Sequence, residues 1–160
     1  MATPDFILSL RSRIGTELLW LSGVTAVVLR EGDGGTEVLL VRRSDNGAWT
    51  PVTGIIDPGE QPAVAAAREV LEEAGVVAEA ERLAWVNTLP PMTYGNGDRS
   101  QYLDMVFRFR WVSGEPHPAD GENTEARFFA LDALPPMSDG MLARLRSALP
   151  ERGEARFETA

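Results

Sequence analysis

The chain has no cysteine and no lysine, and its one histidine is His117. Without a thiol there is no disulfide, no zinc–thiolate centre and no thiol nucleophile. A single histidine excludes a His-rich metal site and argues against a Ser-His-Asp triad. Its setting, Glu115-Pro116-His117-Pro118-Ala119, reads as a surface loop. All fifteen basic residues are arginine, the better bidentate phosphate ligand, against 24 acidic residues. The net charge of −9 disfavours a nucleic-acid polymer as partner. No stretch reaches the roughly 18 apolar residues of a membrane span. The basic start and small-residue cleavage site of a signal peptide are also missing, so a cytoplasmic location is expected. There is no internal repeat, coiled coil or low-complexity segment.

What is present is an ordinary globular composition, 44% hydrophobic and 24% charged over 160 residues, enough for one domain with a sizeable core. Thr3-Pro4-Asp5 reads as a helix start, and Phe6, Leu10, Ile14 and Leu18 then make an apolar stripe. Residues 22–30 and 37–43 read as strands joined by a glycine-rich turn, and residues 76–88 as mostly extended. In residues 101–112, Leu103, Met105, Phe107, Phe109 and Trp111 share a face. Residues 126–131 read as a strand and 138–149 as a closing helix. The division expected is a helical extension over residues 1–21, a core over 22–149 and a frayed tail over 150–160. Strands on both sides of a central helix imply an α/β class, an αβα sandwich on a mixed sheet.

The densest chemistry lies in residues 54–76. Gly54 and Gly59 permit backbone shapes and close phosphate approach denied to other residues, with Pro58 stiffening the turn and Glu60 ahead of a helix. Residues 61–74 have helical spacing, with Pro62 suited to the first turn. Val64, Ala67, Leu71 and Ala74 fall on one side. On the other, Glu69, Glu72 and Glu73 lie within an arc of about 100°. Carboxylates that close repel by roughly 3 kcal/mol per pair at 5 Å and an effective dielectric near 20. A divalent cation relieves this, and hard cations such as Mg²⁺ prefer carboxylate oxygens. Arg68 and Glu72 form an i, i+4 pair that would hold Glu72 in place.

Written as a spacing, the segment is G-x5-E-x7-R-E-U-x-E-E-x-G-U, with U aliphatic, and it resembles the Nudix box in every specified position. At roughly 7% per specified identity, a chance match in a chain this long has odds on the order of 10⁻⁷. The resemblance implies the αβα Nudix fold over about residues 23–149, with an extra N-terminal helix that either packs on the sheet or makes a homodimer contact. It implies hydrolysis of a pyrophosphate link in a nucleoside diphosphate derivative, with Mg²⁺ or Mn²⁺ held by Glu69, Glu72 and Glu73. Residues 39–49 look like the family's approach to the box. Many members then carry Pro-Gly-Gly where this chain has Pro51-Val52-Thr53, so Thr53 stands where a glycine carbonyl often binds metal. Arg68 enters the catalytic set. The family's base is sometimes a box glutamate and sometimes a loop glutamate, which points to Glu69 first and Glu125 second, with Glu122 beside it. Gly54 and Gly59 would face the substrate.

Substrate markers are sparse. Pro90 and Pro91 lie 15 and 16 residues after Gly75, near a proline seen in ADP-ribose-hydrolysing members. Tyr94 lies 18 after Val76, near a position used by dinucleoside-polyphosphate hydrolases. Trp20, Trp49, Trp85, Trp111 and Tyr94 are the candidates for stacking a base, although most Trp in such a domain belong to the core. A (d)NTP pyrophosphohydrolase is the main alternative. A non-catalytic nucleotide sensor would have lost box residues, and the isopentenyl diphosphate isomerase of this fold needs a cysteine.

Overall fold

The computed structural model describes residues 3–159. Its elements run α1 (Asp5–Ile14), β1 (Leu19–Gly32), β2 (Gly35–Arg43), β3 (Trp49–Thr50), β4 (Val52–Ile55), α2 (Pro62–Ala74), β5 (Val77–Thr88), β6 (Met92–Thr93), β7 (Arg99–Ser113), β8 (Asn123–Ala130) and α3 (Asp139–Ala148). The strands form one mixed sheet with the path β3-β2-β1-β7-β5, while β4 joins β1, β6 joins β7 and β8 joins β2. β1 and β7 run parallel, from Leu19↔Ser100 to Leu29↔Arg110. β1 changes neighbour along its length: residues 23–26 pair with β4 and residues 29–32 with β2.

Alternation along the central strands builds two cores. Val24, Ala26 and Val28 of β1, Leu39 and Val41 of β2, and Phe107 and Phe109 of β7 face α2. Val27 and Leu29, Val38 and Leu40, and Val106 face α3. Both faces of β1 are therefore covered, which is why it is buried without a break from Gly23 to Leu29. Ser138 caps α3, its hydroxyl accepting from the Met141 N–H. Among the described residues no helix is long and apolar enough to cross a membrane.

Three expectations change. First, α1 ends at Ile14, before Leu18, and turns Ile7 inward. Leu10 and Ile14 stay largely outside, and Ile7 packs with Leu19 and Leu21 against Ile55 and Tyr102. Of the two roles left open for this helix, packing on the sheet is the one seen. Second, α2 buries Ala65, Ala66, Glu69, Val70, Glu73 and Ala74, while Val64 and Leu71 are 59% and 52% exposed. Of the expected apolar face, Val64 and Leu71 point outward while Ala67 and Ala74 pack inward, because the alanines and Val70 let the helix lie close to the sheet and carry two carboxylates in with them. Third, the tail does not simply fray. Arg156 exchanges backbone hydrogen bonds with β5, its N–H to Ala84 O at 2.8 Å and its carbonyl from Val86 N–H at 2.9 Å.

Candidate active site

The loop between β4 and α2 is built from short backbone contacts. Ile56 N–H donates to Ser22 O at 3.1 Å, and Glu60 N–H closes a turn on Asp57 O at 3.0 Å. Gly59 has φ +87°, a left-handed conformation that favours glycine. α2 then starts at Pro62 and stops at Gly75, which has φ +65° and returns its N–H to Leu71 O.

Arg68 is the hub. Its guanidinium forks onto Glu60, Nε to Oε1 and Nη2 to Oε2, each at 2.9 Å. Nη1 donates to Glu69 Oε1 at 2.9 Å and to Glu72 Oε2 at 3.1 Å. The expected Arg68–Glu72 pair exists, but the bidentate contact goes to Glu60 instead. That fork holds the Glu60 carboxyl below the usual carboxylate range and ties the loop to the helix.

Glu69 is wholly buried, and its second oxygen, Oε2, has no hydrogen-bond partner among the described residues. Burial pushes its carboxyl up to about 7 against the opposing pull of Arg68. Glu73, one turn on, is 5% exposed and accepts from Asn123 Nδ2 at 2.9 Å. Burial also raises it to about 7, with Asn123 pulling the other way. Glu72 does not join them, since its side chain is 45% exposed. Residues 69 and 73 are about 40° apart around a helix, whereas 72 is about 100° from 73. Among the described residues no three carboxylate or imidazole side chains converge as a metal cluster. The expected trio is thus a buried pair plus a rim residue.

The glycines act differently from expectation. A Cβ on Gly54 would stand 2.2 Å from Glu69 Cδ, so the close approach at Gly54 is made by the Glu69 side chain. Gly59 lines a groove of about 420 Å³ with Phe6, Trp20, Ile56, Glu60 and Met105. Trp20 is 56% exposed there, while Trp85 is 7% exposed and belongs to the α3 core. Thr53 lies in regular strand pairing with Thr25, and no described non-glycine residue has positive φ.

Glu125 is not in a loop. It sits in β8 beside Arg42, with an ion pair of 3.0 Å. Ala126 and Phe128 face α2 and Phe129 faces α3, so alternation turns Glu125 away from Glu69 and Glu73. A register shift at Arg42/Arg43 brings Asn123 back toward α2. The chain just ahead of Asn123 also holds the helix end: His117 N–H donates to Ala74 O at 3.1 Å and Ala119 N–H to Glu73 O at 3.2 Å. Glu122 gives its carbonyl to Ser44. Pro90 and Pro91 are exposed, and Tyr94 OH meets Tyr102 OH at 2.8 Å in a turn closed by Tyr94 N–H on Asp98 O. Sequence reasoning missed Asn123 and Glu60's role as the partner of Arg68. Asn123 has no local signature, while the Glu60–Arg68 spacing belongs to the box itself.

An αβα sandwich carrying this loop, helix and buried glutamate pair on one face is the Nudix fold. A family model described as the NUDIX domain matches residues 20–151, and the chain belongs to that family. It is 36% identical over 119 residues to an NAD-capped RNA hydrolase, NudC, of Pseudomonas aeruginosa, covering 73% of this chain but 39% of that protein. It is 34% identical to a MutT-like protein of Streptomyces ambofaciens, covering 81% of this chain and 77% of that one. The crystal structure of an ADP-ribose pyrophosphatase from Streptococcus suis superposes with a TM-score of 0.63 at 26% identity, covering 89% of this chain and 99% of that one.

Proposed function

We propose that the chain is a pyrophosphohydrolase of nucleoside diphosphate derivatives that works with Mg²⁺ or Mn²⁺. One observation carries the reading. Glu69 is buried with one oxygen held by Arg68 and the other unpartnered among the described residues, one helical turn from buried Glu73. A buried carboxylate oxygen without a partner is costly unless a cation or proton meets it, and oxygen donors of this kind suit a hard divalent ion. Glu69 and Glu73 are the proposed ligands, with Glu72 and the Thr53 carbonyl at the rim. Bound there, the cation would offset phosphate charge and make water easier to deprotonate.

The remaining roles belong to the chain. Arg68 positions Glu69 and joins it to the Glu60 turn. Asn123 orients Glu73. Glu69 is the first choice to take the proton of the attacking water. Glu125 is set aside as the second choice of base, since it faces α3, away from the glutamate pair, and pairs with Arg42. The water oxygen bonds to one phosphorus as the bridging P–O bond breaks, giving a nucleoside monophosphate and a second phosphorylated fragment. Gly59 and Trp20 line the groove beside the turn, where the Trp20 face would stack the base.

The turn carrying Pro91 and Tyr94 would contact the group beyond the second phosphate, which favours ADP-ribose or a nucleotide sugar. The likeness to the Streptococcus suis ADP-ribose pyrophosphatase supports this. The alternative is (d)NTP hydrolysis to monophosphate and pyrophosphate, in keeping with the MutT-like relative. The same reading takes a small-molecule substrate and excludes a nucleic-acid polymer and a membrane. It places the protein in the cytoplasm, with the exposed Leu8, Leu10 and Ile14 of α1 available for a homodimer contact. A screen of nucleoside diphosphate derivatives and (d)NTPs with Mg²⁺ or Mn²⁺, scoring released monophosphate, tests it. Undiminished turnover in excess chelator, or wild-type turnover by Glu73→Gln, would sink the site assignment. ADP-ribose left intact while (d)NTPs are cut would install the alternative.

A further inference from the structure

On the α3 side of the sheet, away from Glu69 and Glu73, a groove of about 530 Å³ lies between β5, the end of α3 and the C-terminal tail. Four of the chain's fifteen arginines line it, Arg82, Arg146, Arg152 and Arg156, against one acid, Glu154. In a chain of net charge −9 this is a local reversal of sign.

Two of the four cations are spoken for. Arg82 donates to Pro150 O and Ser147 O, each at 2.8 Å, and so helps to cap α3. Arg108 completes that cap from below, on Ala148 O and Leu149 O. Arg156 lies 4.2 Å over the Trp85 ring and donates to Glu158 Oε1 from Nε and Nη2. The α3 carbonyls that would attract a cation are thereby filled, and Arg146 and Arg152 are left with no side-chain acceptor among the described residues. Trp85, against which Arg156 stacks, is 7% exposed and its Nε1–H lacks an acceptor among the described residues. The backbone hydrogen bonds of Arg156 to β5 hold the tail, and with it this wall of the groove, in place.

We propose that this groove is a second anion site, which takes a phosphate-bearing small molecule on Arg146 and Arg152, separate from the glutamate pair. Guanidinium groups match phosphate oxygens two at a time, and a volume of this order accommodates a mononucleotide. The site stands on its own arginines and does not depend on the proposed hydrolysis.

The test is calorimetric titration of the full chain in excess chelator, which silences any metal-dependent binding at Glu69 and Glu73. The probes are inorganic phosphate, pyrophosphate, AMP and a short oligoribonucleotide. Saturable, salt-sensitive binding is expected, weakened tenfold or more in Arg146→Gln/Arg152→Gln and in the single charge reversal Arg152→Glu. Glu73→Gln should retain it, and both arginine variants should keep wild-type circular dichroism. AMP binding tenfold tighter than phosphate would identify a nucleotide site, and equal affinities a phosphate site. Absence of saturable binding, unchanged affinity in the arginine variants, or binding only to a short oligoribonucleotide would overturn the proposal.

Discussion

Raising the pH should destabilise the metal-free protein. Glu69 and Glu73 have ordinary carboxyl values near 4.5 when unfolded and about 7 when buried in the fold. Between those values the folded chain holds protons that the unfolded chain has released. Stability is therefore full below about 4.5 and falls as the pH rises through about 7, by about 1.4 kcal/mol per pH unit for each group. A shift of this size is worth about 3 kcal/mol per carboxyl at an order of magnitude, a large fraction of a domain's whole stability. Asp104, raised by its own burial, adds in the same direction. Glu60, held low by Arg68, acts in the acid window below its unfolded value and does not blur the measurement. The assay is urea unfolding in chelator from pH 5 to pH 8, followed by circular dichroism. Glu69→Gln and Glu73→Gln should each flatten the decline. Mg²⁺ at pH 7.5 should restore stability, by about 2.7 kcal/mol at a hundredfold excess over Kd. A stability that is flat or rising across this window, or the same slope in Glu69→Gln as in wild type, would refute the burial argument.

Gly54→Ala should lose activity and about 1–3 kcal/mol of stability, because the new Cβ collides with Glu69; thermal denaturation and turnover check it. Asn123→Ala should cost about 1–3 kcal/mol by leaving buried Glu73 Oε2 without its donor, and kcat should fall with it. Trp20→Ala, at a half-exposed position, should change stability by less than about 0.5 kcal/mol. Its KM for nucleoside substrates should rise by about tenfold if a base stacks there, as KM and kcat measured separately would show.

The box was legible because its nine specified positions sit within 23 consecutive residues, where spacing alone carries the chemistry. The order of elements was legible for a related reason. Alternation along residues 101–112 and helical spacing after Pro62 are local periodicities, and β7 and α2 appear where they indicated. The shared face of Phe107 and Phe109 followed from the same alternation. The inner face of α2 was not legible. Val64 and Leu71 outweigh alanine in any reading of hydrophobicity, yet contact with the sheet selects the small residues and takes Glu69 and Glu73 inside.

By itself, the sequence determined the family, the sandwich class and the identity of the loop–helix residues, all consequences of short-range spacing. Tertiary structure decided which glutamates form a pair and what each one meets. Glu72 is left at the rim by its angle to the sheet. Asn123 reaches Glu73 from 50 residues away because a register shift in β8 redirects it, while plain alternation sends Glu125 to the other face. The arginine groove likewise exists only once the tail has paired with β5. Such contacts depend on the direction of side chains across paired strands, and pairing between distant segments leaves no period in the chain.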